Sequence, residues 1–409
     1  MNLAMDLVLG ASLTFSAGAK VLRILAQHCW PWQKTPCANT IETWLLRLGH
    51  YQLHSPLPGA TDWVWLIDLT LTVGPHKVLV IAGCPQHQMP YGSSHLRPAD
   101  LYLLHVAVLE KATHATIEPQ LRQAAQRVGA PQVVLSDEGS EIVKAIGIWQ
   151  QKQQEDPRPL THVLDVAHAA ANVLKKRWTA QPRWGKFLQG LTQTNQKLRQ
   201  TSLAYLLSPR LRDKGRFMSV GVVLRFARRV LYWLDQPTAP QGLEQKYGWL
   251  RDHRFELQQW SYEQNLVQQT IAIAREHGWS TGTLMDLETL WSTSPPPGGN
   301  REVVVPLREF AQKMADRVPR GHWLPASTEA LESAFGRWKR FLEVGPITGL
   351  SALVLALGCI FHPVPKAQTK QAWEKTPIKK VLRWVRRQLG TTLTKLRQGF
   401  TRQTNATLT

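Results

Sequence analysis

Between residues 62 and 164 short apolar runs alternate with polar breaks, and each run has a length and period that suits one element. Trp63-Val64-Trp65-Leu66-Ile67 closes on Asp68, and residues 62–70 predict a strand. Residues 77–82 and 101–109 predict two more. Apolar positions then recur at helical spacing over 118–128. A short run over 132–136 predicts a fourth strand and closes on Asp137, and 140–153 is helical again. After a polar break at 154–159 come a short strand at 161–164 and a helix at 167–178.

Upstream, residues 12–28 carry Leu13, Ala17, Val21, Leu22, Ile24 and Leu25 at helical spacing, followed by a break containing Pro31 and Pro36. A second helix starts at Asn39 or Thr40, either of which can cap it, with Ile41, Trp44, Leu45 and Leu48 on one face. Two helices around a break resemble a helix-turn-helix. Thr40, Glu42, Thr43 and Arg47 would then lie on the face offered to DNA. A helical cap on the next domain is the equal alternative.

Downstream of 178 the periodicity stays mostly helical, as at 221–234 and 255–276, until a Pro/Gly-rich loop at 294–300. Helices are expected again at 328–341, 349–360 and 378–389. The last is amphipathic, with Ile378, Val381, Leu382, Val385 and Leu389 against Lys379, Lys380, Arg383, Arg386 and Arg387. The expected organisation is a helical segment at 1–58, a core begun at 59–178 and resumed at 326–362, a mostly helical insertion at 179–325, and a basic tail at 363–409. Trp184, Trp233, Trp249, Trp260, Trp279, Trp291 and Trp323 in the insertion are expected in its core. No internal repeat is visible.

The chain has 409 residues, enough for one or two substantial domains, and a formal net charge of +20. That charge is unevenly placed. Residues 175–229 hold 14 basic residues against one acid, a net of +13, and 366–409 hold 11 against one, a net of +10. Concentrated positive charge suits a polyanion, because neutralised phosphates release condensed counterions. Cys29, Cys37, Cys84 and Cys359 form no CxxC pair, which fits a reducing cytoplasm. Cys29 and Cys37 followed by His50 and His54 have spacing too long for a usual zinc site; buried thiols and loop histidines are the fuller expectation. The start lacks a basic n-region and carries Asp6, against a signal peptide, and the apolar run 347–361 is too short to span a bilayer.

The order βββαβαβα is that of an RNase H-like core: three meandering strands, then parallel strands added through helical crossovers. In it Asp68 lies on the central first strand and Asp137 at the end of the fourth, beside it. Two adjacent carboxylates are costly without cations between them, so the pair implies a metal site. Glu332, in the late helix, is the third acid. Such a set can hold two divalent cations against a phosphodiester.

Together these residues resemble a DDE transposase of a bacterial insertion sequence. The resemblance covers most of the chain and rests on Asp62 to Asp68, Val134 to Ile142, Leu164 to His168, Leu174 to Lys176, Thr201 to Arg210 and Glu332 to Lys339. It implies an α/β, RNase H-like fold: a mixed five-stranded sheet flanked by helices, with a large mostly α-helical insertion and an N-terminal helix-turn-helix-like domain. It implies that Asp68, Asp137 and Glu332 bind two Mg²⁺ ions, for which Mn²⁺ can substitute. The reaction would be cleavage at the element's ends and strand transfer into target DNA. Lys339, seven residues after Glu332, would hold a phosphate near the cut. The Tyr and Arg that usually precede that Glu are replaced by Pro325 and Thr328, and Leu69 is a further departure. Asp165 and His168 would support the site, or serve as a helix N-cap with a neighbouring histidine. Lys175, Lys176, Arg210, Arg212, Lys214 and Arg216, with Arg47, would contact DNA. The implied partners are terminal inverted repeats and target DNA, with the chain a homo-oligomer on paired ends in the bacterial cytoplasm and no membrane partner. The alternatives are a catalytically inactive, transposase-derived DNA-binding protein and another RNase H-like nuclease such as a junction resolvase.

Overall fold

A computed structural model describes residues 1–29, 34–73, 76–89, 96–152, 160–211, 217–293, 301–319, 322–344 and 350–389. The chain divides into two units. The first comprises Met1–Pro90, His95–His162 and Thr328–Thr409; the second comprises Tyr91–Ser94 and Val163–Ser327.

The first unit opens with α1 (Asn2–Met5), α2 (Phe15–His28) and α3 (Ala38–Leu53). The Thr14 hydroxyl accepts from Ala17 N–H at 2.9 Å and caps α2. There follow β1 (Trp63–Val73), β2 (His76–Pro85), β3 (Tyr102–Leu109), α4 (His114–Val128), β4 (Val133–Ser136), α5 (Ser140–Lys152) and β5 (Thr161–Leu164), the expected order. The fold is α/β, and its mixed five-stranded sheet is ordered β3-β2-β1-β4-β5. β1 is central, antiparallel to β2 and parallel to β4.

Residue alternation along β1 separates two buried faces. Trp63, Trp65 and Ile67 join Ile117 and Leu121 of α4 and Ile142, Ile146 and Trp149 of α5 in one core. Within it Trp65 stacks on Trp149, with centroids 5.5 Å apart and planes 11° from parallel. Val64 and Leu66 point the other way and are equally buried.

The second unit is built mainly from helices: α6 (Val166–Thr179), α7 (Pro182–Leu198), α8 (Val220–Leu234), α9 (Leu243–Tyr247), α10 (Arg254–His277), α11 (Thr281–Thr293) and α12 (Arg301–Ala315). α10 packs against α6, α8 and α11. Trp184, Trp260, Trp279 and Trp291 are buried, as core tryptophans should be, whereas Trp233 is exposed. Trp178, Trp184, Phe187, Phe217 and Trp260 form one aromatic cluster. Beside it the fully buried Glu263 accepts from the Trp178 indole and from Arg177 Nε at 2.9 Å, which satisfies a carboxylate that would otherwise be costly there.

The chain returns to the first unit with α13 (Glu329–Val344), α14 (Leu350–Phe361), α15 (Thr369–Lys375) and α16 (Ile378–Leu389). α13 packs against β1, while α3, α14 and α16 pack against β3. The Trp338 indole donates to Leu353 O at 2.8 Å and ties α13 to α14. No described helix is long and apolar enough to cross a membrane.

α3 fits the alternative reading, a helical cap, and the helix-turn-helix reading gains no support from its packing. The helix packs against α2, α14, α15 and α16. At its crossing with α14 the backbones touch: a Cβ on Gly358 would lie 2.7 Å from Gly49 O, and one on Gly49 would run into Leu355 O. Arg47 lies over the Trp373 ring, 3.0 Å from its centroid, and donates to the Trp373 and Thr376 carbonyls. It tethers α15 instead of facing a phosphate. His50 and His54 are stacked at the end of this helix, 4.1 Å apart, not in a loop, and Cys29 and Cys37 are exposed thiols, not buried ones.

Candidate active site

β1 and β4 run in parallel with Ile67 opposite Ser136, the last registered pair between them. Asp137 stands one residue beyond the end of β4, whereas Asp68 lies in the middle of β1, which continues to Val73 instead of closing at the acid; the two strands run about 4.8 Å apart. Ile67 faces the α4/α5 core, so alternation sends Asp68 to the opposite side. α13, the helix that packs against β1, carries Glu332 in its first turn. All three acids belong to the first unit and all are half-buried.

Local sequence explains each placement. Asp68 interrupts a strand whose neighbours Leu66 and Ile67 are fully buried, and it pairs with Val80 on β2. Asp137 leaves β4 into a tight turn, where its Oδ1 accepts from Gly139 N–H at 3.0 Å. A Cβ at position 139 would lie 2.8 Å from that oxygen, so a side chain there would push the Asp137 carboxylate aside. Thr328 is buried ahead of α13, and its carbonyl accepts from Glu332 N–H at 3.1 Å, starting the helix at that point. Ala330, Leu331, Ala334, Phe335 and Trp338 form the buried stripe of α13. Lys339 is exposed, about 10 Å along the axis from Glu332.

One contact at the end of β4 had no signal in the sequence beyond a histidine in a strand. His162 Nε2 lies 2.9 Å from Ser136 Oγ, and that hydroxyl donates to Asp137 O at 2.9 Å. The chain of contacts fixes the backbone where Asp137 departs.

In the second unit Asp165 is the N-cap of α6, buried, accepting from His168 N–H at 2.9 Å with His168 Nδ1 at 3.1 Å. That is the capping arrangement of an Asp three residues before its partner. Lys175 and Lys176 are exposed near the end of α6, and Arg210 is exposed after α7. Arg212, Lys214 and Arg216 lie outside the described residues.

The donor chemistry suits hard cations: one carboxylate within β1, one just past the end of the adjacent β4, and one on the helix packed against β1. As placed, the side chains stop short of a closed set, since among the described residues no three His, Cys, Asp or Glu side chains gather as a metal-holding group. The fit is therefore of donor type and backbone position.

No protein-family model matches the chain, and no curated protein sequence matches it.

Proposed function

We propose that the chain is a DDE-type transposase on an RNase H-like core, cutting DNA at transposon ends and joining them to target DNA. The observation that carries this reading is the placement of Asp68 within β1 beside the end of the parallel strand β4, which Asp137 follows, with the helix bearing Glu332 packed against β1. Bound there, two Mg²⁺ ions would supply an acidified water and charge neutralisation at the departing oxygen. The chain's part is to hold carboxylate oxygens for them at fixed positions. The Gly139 N–H fixes one Asp137 oxygen and leaves the other for a ligand. Lys339 extends from the same helix as Glu332 and would neutralise a phosphate beyond the cut. Lys175, Lys176 and Arg210 would contact the duplex backbone elsewhere, and two chains would act on paired ends.

The test is nicking of supercoiled plasmid carrying the DNA that flanks the gene, with Mg²⁺ or Mn²⁺. Wild-type protein should nick near terminal inverted repeats. Asp68→Ala, Asp137→Ala and Glu332→Ala should lose this activity while remaining folded by circular dichroism. Normal nicking by all three variants would remove these acids from the chemistry.

A non-catalytic DNA-binding descendant is the second reading, and the observation favouring it is the lack of a closed three-ligand group among the described residues. Magnesium-independent band shifts with no cleavage of any substrate would select it.

A further inference from the structure

The second unit contains a cleft of about 370 Å³ along one face of α7, closed by residues 208–211 and by Val223 of α8. Its polar lining is Thr192, Gln196, Arg199 and Arg210, together with Asn195 and Ser208, which are occupied with each other. Leu188, Leu191, Leu211 and Val223 supply an apolar wall. Among the described residues no carboxylate lines it. Neither arginine makes an ion pair with a described residue, although Arg251, Arg254 and Arg308 in the same unit all do.

The segment bearing Arg210 is held in place from both sides. Ser208 N–H donates to Asn195 Oδ1 at 2.8 Å, and Asn195 Nδ2 donates to Ser208 Oγ at 2.7 Å. Two residues earlier, the Tyr247 hydroxyl donates to Leu206 O at 2.6 Å. Pro209 then restricts the backbone immediately before Arg210. Holding two guanidinium groups over one cleft costs repulsion, which an anion would relieve; planar guanidinium forks match phosphate oxygens. The end of α7 would oppose an anion through its exposed carbonyls. Leu198 O there already accepts from Thr201 N–H at 3.0 Å and from its hydroxyl at 2.9 Å.

We propose that this cleft holds one nucleotide of a nucleic-acid strand. The phosphate lies between Arg199 and Arg210, and the sugar or base edge lies on the wall formed by Leu188, Leu191, Leu211 and Val223. The wall distinguishes a nucleotide from a bare phosphate, and the net charge of +13 across residues 175–229 favours a polyanionic strand over a free nucleotide. The proposal rests on the DNA reading above and adds to it Arg199, which no motif marked.

The experiment measures binding of the full chain to a fluorescent oligonucleotide by anisotropy, across a salt series. It compares Arg199→Gln/Arg210→Gln with Arg225→Gln/Arg228→Gln, which removes the same charge from exposed positions on α8 outside the cleft. The cleft pair should weaken binding at least about tenfold more than the α8 pair, and should lower the salt slope by about 1, the share of the single phosphate held between them. Equal weakening by both pairs would mean bulk charge only and would overturn the site while leaving DNA binding intact. Displacement of the strand by equimolar deoxymononucleotide would overturn the assignment to a strand. Absence of wild-type binding to any oligonucleotide would overturn both the site and the DNA reading.

Discussion

Asp68 and Asp137 stand on neighbouring strands of the sheet, and carboxylates brought that close would repel without a cation between them, which is the reason to regard them as a pair with a purpose. Neutralising one without removing its shape separates charge from packing. Asp137→Asn should retain the turn, because an amide oxygen can still accept from Gly139 N–H. It should nevertheless lower DNA cutting by about 10²–10³-fold, the scale seen when one group that stabilises transition-state charge is lost. Melting the two proteins with and without Mg²⁺ supplies a check independent of activity. The metal should raise the wild-type midpoint and leave Asp137→Asn unmoved.

His50 gives a second prediction at this scale. Burial lowers its pKa from 6.5 to about 4, helped by the neighbouring His54 and Lys380, and its Nδ1 has no hydrogen-bond partner. The folded protein therefore resists a proton that the unfolded chain accepts. Stability is unaffected above about pH 6.5 and falls as the pH drops from there towards 4. His50→Leu should flatten that fall in urea titrations run at each pH; an unchanged slope would assign the acid sensitivity to other groups.

Among the elements, those bearing the acids were the most legible. The run ending at Asp68, the shorter one ending at Asp137 and the periodic stretch around Glu332 appear as β1, β4 and α13, because each buries enough apolar surface to set its own period. Trp184, Trp260, Trp279 and Trp291 of the second unit were legible for the same reason, whereas Trp233 is exposed. α3 was not legible. Its exposed-looking positions Thr40, Glu42, Thr43 and Arg47 are compatible with water, DNA or another helix, and α15, which meets Arg47, lies more than 300 residues away. The close approach of α3 to α14 is likewise invisible in a lone glycine. Gly49→Ala should force the two backbones apart and cost about 3 kcal/mol in urea unfolding, at the upper end of ordinary overpacking. A cost near zero would mean that this helix pair does not hold the first unit together. Arg47→Gln should likewise affect stability more than DNA affinity.

For the whole molecule, the net charge of +20 makes affinity for DNA a function of salt. Raising NaCl from about 50 to about 200 mM should weaken binding by roughly 10³-fold if six or more phosphates are contacted. A flat salt profile would contradict a backbone-dominated interface. Charge alone does not cut DNA, however, and the account depends on the acids carried by β1 and by the turn after β4. The most direct test is a Mn²⁺ titration of the protein bound to its DNA ends, followed by electron paramagnetic resonance, for wild type and Asp68→Asn/Asp137→Asn. Wild type should immobilise Mn²⁺ that the double variant leaves free, with DNA affinity little changed. Identical Mn²⁺ binding by the two proteins would contradict the proposed centre.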